Sequence, residues 1–576
     1  MSNTGDLVTR IYGNFRGVDF RGEEINIVRS PDSLNVWKDY KETESIRTRP
    51  GMEMAYTAPD PVYGIFFYKG ETILHCGKTL YKVVNGQKTA IRSEMNESIS
   101  DSFVFDDVLY IKDGKNYLRY DGVECRNVCP HYLDPFEIND CYVPTTSIGR
   151  KPVSGGDPPG GGTIHEDVNM LQPKRINTFL ADGIGTVYYL DTLKIDTDFK
   201  PFVQSLDGQN ISDYTVDYEE GKITFTNAPL PPKTDDQDNV SITFAKSRPD
   251  YTEAILKCTL LQVFDNRVFF SGNADHPNVL WHCSLNDPMY VSDTDYYQEG
   301  TDNAAVKGIV AGNNALWAFR EPSDANTTVF YHTPTIDDVY GKVYPNTHSS
   351  ITTGCIGKAI NFNDDIVFFS GRGMEGISGD ITTEQVVEHR STLVDRKMIA
   401  EPKYKDMVLA EWEGYLFVFI GKNVYLADSR SSFTNEDHIE YEWFYWHLEH
   451  EVNCATVFDG KLYLGTDDGV YTLAYNDSPI ESYWVTPKDK FKYPSMQKTT
   501  NKRGCVAEAE GDVTVYAKVE DTGFELIGEY KDVKDYFVSR IKRKKFKDIQ
   551  LKFYSQTWFR LETVTLEAWV GGYIKR

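Results

Sequence analysis

Short apolar runs recur along the chain, each interrupted by a two-residue polar turn and followed by a second apolar run. The clearest example is VFDGKLYLG at 457–465. An Asp-Gly pair accepts the positive φ angles that tight hairpins require, so this pattern predicts a strand, a turn and a strand. Comparable hairpins are predicted at 104–110, 263–270, 361–369 and 411–419, with weaker copies at 66–74 and 310–317.

The predicted hairpins return at a nearly constant interval. The second residue of each turn falls at 70, 107, 266, 314, 365, 414 and 460, so the successive gaps are 37, 159, 48, 51, 49 and 46 residues. Five of the six gaps lie near the ~40–50 residues of a four-stranded propeller blade. We therefore predict an all-β fold with a β-propeller of about seven blades, within a range of six to eight.

The gap of 159 residues predicts an insertion between two blades. A Gly- and Pro-rich run at 154–163 reads as a flexible linker. Alternating strand patterns then follow over 164–248, with a turn every 8–12 residues, which is typical of a small β-sandwich. Removing such a module leaves roughly one ordinary blade spacing of ~40–50 residues.

The hairpin period stops near residue 480, and new strand patterns at 513–517, 549–553 and 563–569 predict a C-terminal β-sandwich. The first fifty-one residues are expected to join the propeller or this C-terminal domain. The predicted domains are an N-terminal segment (1–51), the first part of the propeller (52–145), a linker (146–163), the inserted domain (164–248), the rest of the propeller (249–480) and the C-terminal domain (481–576).

Composition narrows the class of protein. The 576 residues are 13% aromatic and carry a formal net charge of −25, which excludes collagen-like and disordered chains. No apolar run approaches the ~18–20 residues of a membrane-spanning helix, and the start of the chain shows no secretory signal. The nine cysteines are odd in number and scattered, which predicts buried free thiols in a product of the reducing cytosol.

The sequence contains no clear motif for catalysis, cofactor binding or metal binding. The sequence has no G-x-S-x-G, no H-E-x-x-H and no kinase signature, so we expect no catalytic residue, no cofactor and no metal. Carboxylates are numerous, which leaves a glycosidase pair open as an alternative. Cys125, Cys129, His131 and Cys141 are spaced more loosely than the ligands of structural zinc, and ordinary packing is the expected role of these residues.

One charged segment stands out. Residues 531–576 carry 12 basic and 5 acidic side chains, in an otherwise acidic chain. The positive charge is concentrated in a predicted basic strand at 540–547. This strand has two interpretations: contact with an acidic partner ring or with phosphate, or a solvated edge strand that lysines protect against aggregation. The candidate partner-contact residues are Arg540, Lys542, Arg543, Lys544, Lys545 and Lys547.

Three segments near the N-terminus carry a resemblance to a known family. They read GNFRGVDF at 13–20, RSPDSLNVW at 29–37 and RTRPG at 47–51. This opening resembles that of the tail-nozzle, or packaged-DNA stabilisation, proteins of podovirus-like tailed bacteriophages, in which a propeller follows such a stretch. The insert around 214–229 and the start of the C-terminal domain at 484–487 are similar to small β modules of phage structural proteins.

The resemblance implies a non-enzymatic virion protein, assembled in the host cytoplasm, at the distal end of a short tail. It implies a homo-oligomeric ring, with a hexamer favoured, that contacts portal-proximal adaptor proteins and tail fibres in the head–tail connection. Genomic DNA would pass without sequence recognition, since an acidic lumen repels phosphates close to its wall. Two alternatives stay open: a propeller enzyme that degrades polysaccharide, and a tail protein whose insert contacts a receptor or glycan on the host surface.

Overall fold

The computed structural model of the protein describes residues 6–38, 40, 45–134, 138–150, 165–323, 327–338, 341–378, 386–435, 438–476, 478–542 and 545–573. Nearly all of the regular structure is β. The N-terminal segment contributes seven strands: β1 (Asp6–Tyr12), β2 (Gly17–Val18), β3 (Arg29–Ser30), β4 (Ser33–Leu34), β5 (Val36–Lys38), β6 (Ile46–Thr48) and β7 (Gly51–Thr57).

Two antiparallel four-stranded sheets follow and form blades 1 and 2. Blade 1 contains β8 (Val62–Tyr68), β9 (Glu71–Cys76), β10 (Thr79–Val84) and β11 (Gln87–Arg92). Blade 2 contains β12 (Asp101–Phe105), β13 (Val108–Lys112), β14 (Tyr117–Tyr120) and β15 (Cys125–Asn127).

The inserted domain comes next and consists of two small sheets around its own core. Its strands are β16 (Thr145–Arg150), β17 (Lys174–Leu180), β18 (Val187–Tyr189), β19 (Phe202–Ser205), β20 (Tyr214–Asp217), β21 (Lys222–Phe225) and β22 (Val240–Ala245). The sheet orders are β16-β17-β22-β19 and β18-β21-β20, and Phe179, Tyr188, Ile223 and Phe244 are buried between them. Residues 146–150, predicted as linker, thus belong to β16, and the remainder of that linker lies outside the described residues.

After helix α1 (Pro249–Leu256), blades 3, 4 and 5 follow in chain order. Blade 3 contains β23 (Leu260–Phe264), β24 (Arg267–Ser271), β25 (Val279–His282) and β26 (Tyr296–Gln298). Blade 4 contains β27 (Val306–Gly312), β28 (Ala315–Arg320), β29 (Val329–His332) and β32 (Asn346–His348), with a side hairpin of β30 (Thr335–Asp337) and β31 (Gly341–Val343). Blade 5 contains β33 (Ala359–Phe362), β34 (Asp365–Ser370), β35 (Gly373–Ser378) and β36 (Val386–His389).

Helix α2 (Asp395–Met398) and a 3₁₀ turn at Tyr404–Asp406 lead into the last two blades. Blade 6 contains β37 (Val408–Trp412), β38 (Tyr415–Ile420), β39 (Asn423–Asn435) and β40 (His438–His447). Blade 7 has three strands from this part of the chain, β41 (Cys454–Phe458), β42 (Lys461–Gly465) and β43 (Gly469–Ala474), and takes its fourth from β7. An N-terminal strand therefore closes the propeller.

The seven inner hairpins share one turn geometry. Both central residues of every turn have positive φ, which is the type I′ conformation that matches the twist of paired strands. The turns are Lys69–Gly70, Asp106–Asp107, Asp265–Asn266, Asn313–Asn314, Asn363–Asp364, Glu413–Gly414 and Asp459–Gly460. The turn of blade 5 was predicted one position too late, at 365, because three polar residues stand in a row there and Asp365 already belongs to β34.

The C-terminal domain has seven strands: β44 (Ser482–Val485), β45 (Met496–Val519), β46 (Glu525–Val533), β47 (Tyr536–Ser539), β48 (Lys545–Phe546), β49 (Ile549–Ser555) and β50 (Phe559–Tyr573). Together with β1, β4, β5 and β6 they form one eleven-stranded, nearly closed sheet. Its core is continuous with that of the propeller, since Phe417 of blade 6 and Leu464 of blade 7 pack in the same cluster as Val515 and Leu566.

The predicted fold class is confirmed: the protein is all-β, with a propeller of seven blades and an inserted β-sandwich. The C-terminal domain was expected to be a second β-sandwich, and its strands instead belong to one nearly closed sheet, because the long strands β45 and β50 pair with each other and with most of the others. The prediction of free thiols was wrong at two of the nine cysteines. Cys129 and Cys141 form a disulfide, because the chain turns back between them and brings their Cα atoms to 5.5 Å, a normal separation for a disulfide. No helix of the described residues has the length and apolar character to cross a membrane.

Candidate functional site

The three segments that carry the family resemblance meet at the seam between the propeller and the C-terminal domain. On the C-terminal side, β1 and β6 pair with β50, and β4 pairs with β44. On the propeller side, β2, β4 and β5 lie against β40 of blade 6, and β7 completes blade 7. We call residues 13–51 the N-terminal clamp.

Gly17 sets the closest approach of the clamp to blade 6. The φ angle of Gly17 is +115°, and a Cβ at this position would lie 2.0 Å from the carbonyl oxygen of Trp443 in β40. Trp443 is itself fully buried, and its indole Nε1 donates to the carbonyl oxygen of Arg390. Only glycine fits here, because any side chain would push β2 away from the blade.

A buried ion pair fixes the next part of the clamp. Arg29 donates from Nε and Nη2 to the two carboxylate oxygens of Glu442, over 2.8 and 2.6 Å. Burial raises the pKa of Glu442, while Arg29 and the more distant Arg16 oppose that rise. Since removing one member of a buried pair leaves an uncompensated charge, this fork favours a single docking geometry of the clamp on β40.

The third part of the clamp is formed by Asn35 and Arg49, which contact both the propeller and the C-terminal domain. Asn35, in the left-handed region at φ +54°, accepts a hydrogen bond from the backbone N–H of His447 and donates to the carbonyl oxygen of Glu481. The buried Arg49 donates to Asn35 Oδ1 over 3.1 Å, to the carbonyl oxygen of His447 over 3.1 Å and to Glu449 over 2.8 Å. Asn35 and Arg49 therefore connect the last strand of blade 6 to the start of the C-terminal domain.

Most of the predicted basic strand is not a strand in the structure. Residues 540–542 form no strand, and only Lys545 and Phe546, which make up β48, pair with β45. Arg540, Lys542, Lys545 and Lys547 are all exposed, and no carboxylate of the described residues forms an ion pair with any of them. Arg543 and Lys544 lie outside the described residues.

A second basic segment, which was not predicted, lies beside this one. The residue opposite Lys545 across the strand pair is Thr499, and the backbone of Arg540 lies against Gly504. The stretch 488–503 that precedes this contact contains Lys488, Lys490, Lys492, Lys498, Lys502 and Arg503. Counting charge over the whole C-terminal domain, and not only after residue 531, would have given the signal.

The two basic segments differ in how they are neutralised. Lys488 and Lys490 form ion pairs with Glu23 and Glu24 of the N-terminal segment. Lys498 is fully buried and donates to the carbonyl oxygen of Lys547, and burial lowers the pKa of Lys498. The exposed cations of the first segment, Arg540, Lys542, Lys545 and Lys547, are called the basic edge.

The axial channel of the propeller encloses a cavity of about 1070 Å³, and the inner strands of all seven blades line it. Among the described lining residues, three carry a carboxylate: Asp101, Asp406 and Glu451. Glu451 is paired with Lys403 at 2.5 Å. Asp101 is open to the channel, but the surrounding blades desolvate its carboxyl group and raise its pKa, although the nearby Lys358 opposes the shift.

A serine and a histidine also meet beside the channel. His75 Nδ1 lies 2.9 Å from Ser100 Oγ, and Nε2 lies 3.0 Å from the carbonyl oxygen of Gly77. Nε2 must therefore be the protonated nitrogen, and Ser100 donates to Nδ1. Burial lowers the pKa of His75, and both side chains are buried, so the pair joins blade 1 to the chain entering blade 2.

The loosely spaced cysteines and histidine do not assemble into a metal site. Cys129 is bonded to Cys141, Cys125 is buried in β15 outside that disulfide, and His131 is exposed. Within the described ranges, no group of three His, Cys, Asp or Glu side chains could hold a metal ion.

Comparison with known proteins gives similarity of fold only. No family model matches the chain, and no curated protein matches it. Among solved structures, BamB from Moraxella catarrhalis is similar over 77% of this chain and 97% of its own, with 9% identity and a TM-score of 0.32. Hsv2 from Kluyveromyces lactis is similar over 67% and 98%, with 10% identity and a TM-score of 0.25.

The exo-β-1,3-galactanase of Phanerochaete chrysosporium with galactose is similar over 53% of this chain and 95% of its own, with 8% identity and a TM-score of 0.23. At such scores these proteins carry no argument about function. The propeller of this chain is established by its own strand order, and the chain is similar to known proteins in architecture alone.

Proposed function

We propose that the protein is a non-enzymatic structural component of a bacteriophage tail, a ring-forming nozzle or hub at the distal end through which the genome leaves. The observation that carries this proposal is the N-terminal clamp. The residues on which the resemblance rests, among them Gly17, Arg29, Asn35 and Arg49, hold two domains together. A motif used in this way is typical of architecture and not of catalysis.

Rigidity of the subunit supports the same proposal. One hydrophobic core runs from blades 6 and 7 into the C-terminal domain, and buried polar contacts of the clamp cross the same seam. Because packed cores resist continuous deformation, the propeller and the C-terminal domain should move as one body. A channel through which DNA is driven needs walls with this property.

The uneven distribution of charge over the chain supports the assembly of identical subunits. The basic edge is exposed on the C-terminal domain, while the remainder of the chain outside 531–576 is strongly acidic. A basic surface that meets an acidic surface of the next copy makes a heterologous contact, and such contacts close into rings. We therefore assign the basic edge to the contact between neighbouring subunits of a hexamer. In this arrangement the acidic lumen of the ring faces the passing DNA. The outer faces of the ring contact adaptor proteins and tail fibres.

The test is the mass of the purified chain, measured by mass photometry at low and high salt. We expect particles of six times the 65.7-kDa chain, which dissociate as salt screens the contact. The variant Lys542→Glu/Lys545→Glu/Lys547→Glu should remain monomeric at every salt concentration. A matched control reverses three exposed lysines of the propeller, Lys78, Lys115 and Lys461, and should leave the ring intact. Wild-type protein that stays monomeric and is not taken up into tails would contradict the proposal.

A polysaccharide-degrading enzyme is the second candidate, and one observation favours it. Asp101 faces the channel, and a carboxyl group with a raised pKa is a common general acid of glycosidases. The test is incubation with host capsule or wall extract, with new reducing ends as the readout. Turnover by the wild type that Asp101→Asn abolishes would replace the structural proposal with the enzymatic one.

A host-surface contact by the insert is a separate, compatible role. Because β16 pairs in parallel with β17, a deletion that removes the insert cleanly must begin at residue 145 and end at 248. Tails that carry this deletion should adsorb more slowly if the insert contacts the host. Unchanged adsorption would exclude that role and leave the ring proposal untouched.

A further inference from the structure

A disulfide closes the loop through which the chain leaves the propeller for the inserted domain. Cys129 comes two residues after β15 of blade 2, and its partner Cys141 comes four residues before β16. Cys141 is 4% exposed and packs with Met170 and Val291 in the core that blades 2 and 3 share. We call residues 129–141 the disulfide loop. The bond therefore joins the end of blade 2 to the entry of the insert.

The disulfide loop contacts the inserted domain through Tyr132, three residues after Cys129. The Tyr132 hydroxyl donates to Asp196 Oδ2 over 3.1 Å, and its ring lies nearly perpendicular to that of Phe199, with the centroids 5.2 Å apart. The ring of His131 stacks on that of Tyr132 at 4.4 Å. Burial and the contact with Asp196 raise the pKa of Tyr132 to about 12, so the hydroxyl keeps its proton at neutral pH. Tyr132 therefore fixes the segment between β18 and β19 of the insert against the propeller.

The carboxylate of Asp196 also holds the chain that leaves the insert. Ser247, between β22 and α1, donates to Asp196 from its backbone N–H over 2.9 Å and from its hydroxyl over 2.6 Å. The backbone N–H of Asp196 in turn donates to the carbonyl oxygen of Ala245 over 2.9 Å. Asp196 therefore joins the disulfide loop, the body of the insert and the chain that returns to the propeller. Displacement of Tyr132 removes one donor from this junction.

The side of the disulfide loop that carries Cys141 is tied to blade 2. Asp140 forms ion pairs with Arg119 at 2.8 Å and with Arg126 at 3.4 Å. These arginines belong to β14 and β15, the two outer strands of the blade. Opening the disulfide leaves these ion pairs in place.

The side that carries Tyr132 depends on the disulfide. The bond joins it to the other side of the loop, and Asn139 Nδ2 donates to the carbonyl oxygen of Pro130 over 2.9 Å. Leu133 and Ile138 are 50% and 66% exposed, so these apolar side chains add little packing. Segments with little buried apolar surface open locally, and a cross-link removes many of the open conformations. The covalent bond therefore keeps Tyr132 in place more than packing does.

We propose that the Cys129–Cys141 bond is a redox latch that sets the mobility of the inserted domain. A dithiol opens the latch: one thiolate attacks Sγ of the partly exposed Cys129, and Cys141 leaves as a thiolate and takes up a proton. The second thiol of the reagent then releases Cys129, so the dithiol is oxidised and both cysteines are reduced. A disulfide oxidant such as oxidised glutathione runs the exchange in reverse. With the bond open, Tyr132 leaves Asp196 and the insert moves on the segments that connect it to the propeller.

Thiol chemistry should be selective for the disulfide loop. Five other cysteines are buried, and burial raises the pKa of each of their thiols to about 12: Cys258, Cys283, Cys355, Cys454 and Cys505. Since the thiolate is the reactive form, these residues react slowly with oxidants and alkylating reagents. A reducing compartment therefore keeps the latch open, and an oxidising one closes it.

The test is hydrogen–deuterium exchange of the purified full-length chain, oxidised with glutathione disulfide or reduced with dithiothreitol. Mass spectrometry after iodoacetamide should find two more modified cysteines in the reduced sample, which shows that the bond has opened. Amides of 194–199 and 245–249 should then exchange about tenfold faster, because the contacts of Asp196 loosen. Within minutes of labelling, before globally protected amides exchange, peptides of blades 5 and 6 should take up the same deuterium in both samples. The measurement needs no partner, so its outcome is independent of the proposed ring.

In the oxidised state, Tyr132→Phe should also speed exchange in these two segments, since Asp196 loses one donor. The matched control, Tyr296→Phe, changes an exposed tyrosine of blade 3 and should have no effect. Cys129→Ser/Cys141→Ser should exchange like the reduced wild type and should not respond to dithiothreitol. Exchange that full reduction leaves unchanged, a rise that is equal across all blades, or a Tyr132→Phe variant that behaves as the wild type would overturn the proposal. So would a chain that stays reduced in glutathione disulfide.

Discussion

His389 at the end of blade 5 lies between two carboxylates and should make the stability of the propeller depend on pH. Its Nδ1 lies 3.1 Å from Glu375 Oε2, and its Nε2 lies 2.5 Å from Asp395 Oδ2. The far oxygens of both acids accept hydrogen bonds from Ser370 and Ser391, so the carboxylates are held in place. Both ring nitrogens face acceptors, which is the arrangement of an imidazolium ion.

The size of the effect follows from the pKa. Burial opposes the charged form, but the hydrogen bonds and charges of Asp395 and Glu375 prevail and raise the pKa of His389 to about 9. Relative to about 6.5 in the unfolded chain, this shift amounts to about 3 kcal/mol of unfolding free energy. Because the folded pKa is the higher one, this stabilisation is complete below about pH 6.5 and is lost as the pH rises through about 9.

The assay compares the melting temperature of the wild type with that of His389→Gln between pH 6 and pH 9.5. With about 2.1 cal/mol/K of unfolding entropy per residue and roughly 300 propeller residues, 3 kcal/mol corresponds to about 5 °C. The difference between the two proteins should be largest at pH 6 and should shrink by about that amount at pH 9.5. His348→Gln, an exposed histidine of blade 4, is the control and should show no such trend. A difference that is constant with pH, or that grows as the pH rises, would refute the reasoning.

Buried contacts elsewhere give three more expected outcomes. Glu299 and His332 are fully buried and 2.9 Å apart, so Glu299→Ala should lower the unfolding free energy in denaturant by about 3–5 kcal/mol, whereas Glu299→Gln, which keeps a partner, should cost clearly less. Reductant should lower the melting temperature of the wild type by the equivalent of roughly 3 kcal/mol and leave the double variant Cys129→Ser/Cys141→Ser unaffected. Gly17→Ala should speed proteolysis at the seam without loss of the β signal in circular dichroism. Equal costs of the two Glu299 variants, no effect of reductant, or unchanged proteolysis would each contradict the corresponding argument.

Local patterns predicted the blades because each inner hairpin is specified by its own residues. Asp459 and Gly460 adopt the positive φ angles of a type I′ turn whatever the rest of the chain does, and the flanking strands need only each other. In blade 5 the local sequence does not determine the position of the turn. Asn363, Asp364 and Asp365 are all acceptable turn residues, and only strand pairing decides between them. Helix α1 was missed although Pro249 and Asp250 at its start are helix-initiation signals.

The candidate sites could not be predicted in the same way, because their parts are distant in sequence. Arg29 and Glu442 are 413 positions apart, and no periodicity links them. The second basic segment is brought to the first by the pairing of β45 with β48. Residue types at these positions were visible in the sequence, whereas their proximity depends on tertiary packing.

The pairing of β1 with β50 has a consequence for how the protein is made. The first described strand, Asp6–Tyr12, cannot find its partner until Phe559–Tyr573 has been synthesised, and β7 must likewise wait for β43. At about 5–20 residues per second, the leading end of a nascent polypeptide stays unpaired for roughly half a minute to two minutes. A prematurely terminated product therefore never completes its seam. Synthesis through β50 is therefore a condition for a complete seam between the propeller and the C-terminal domain.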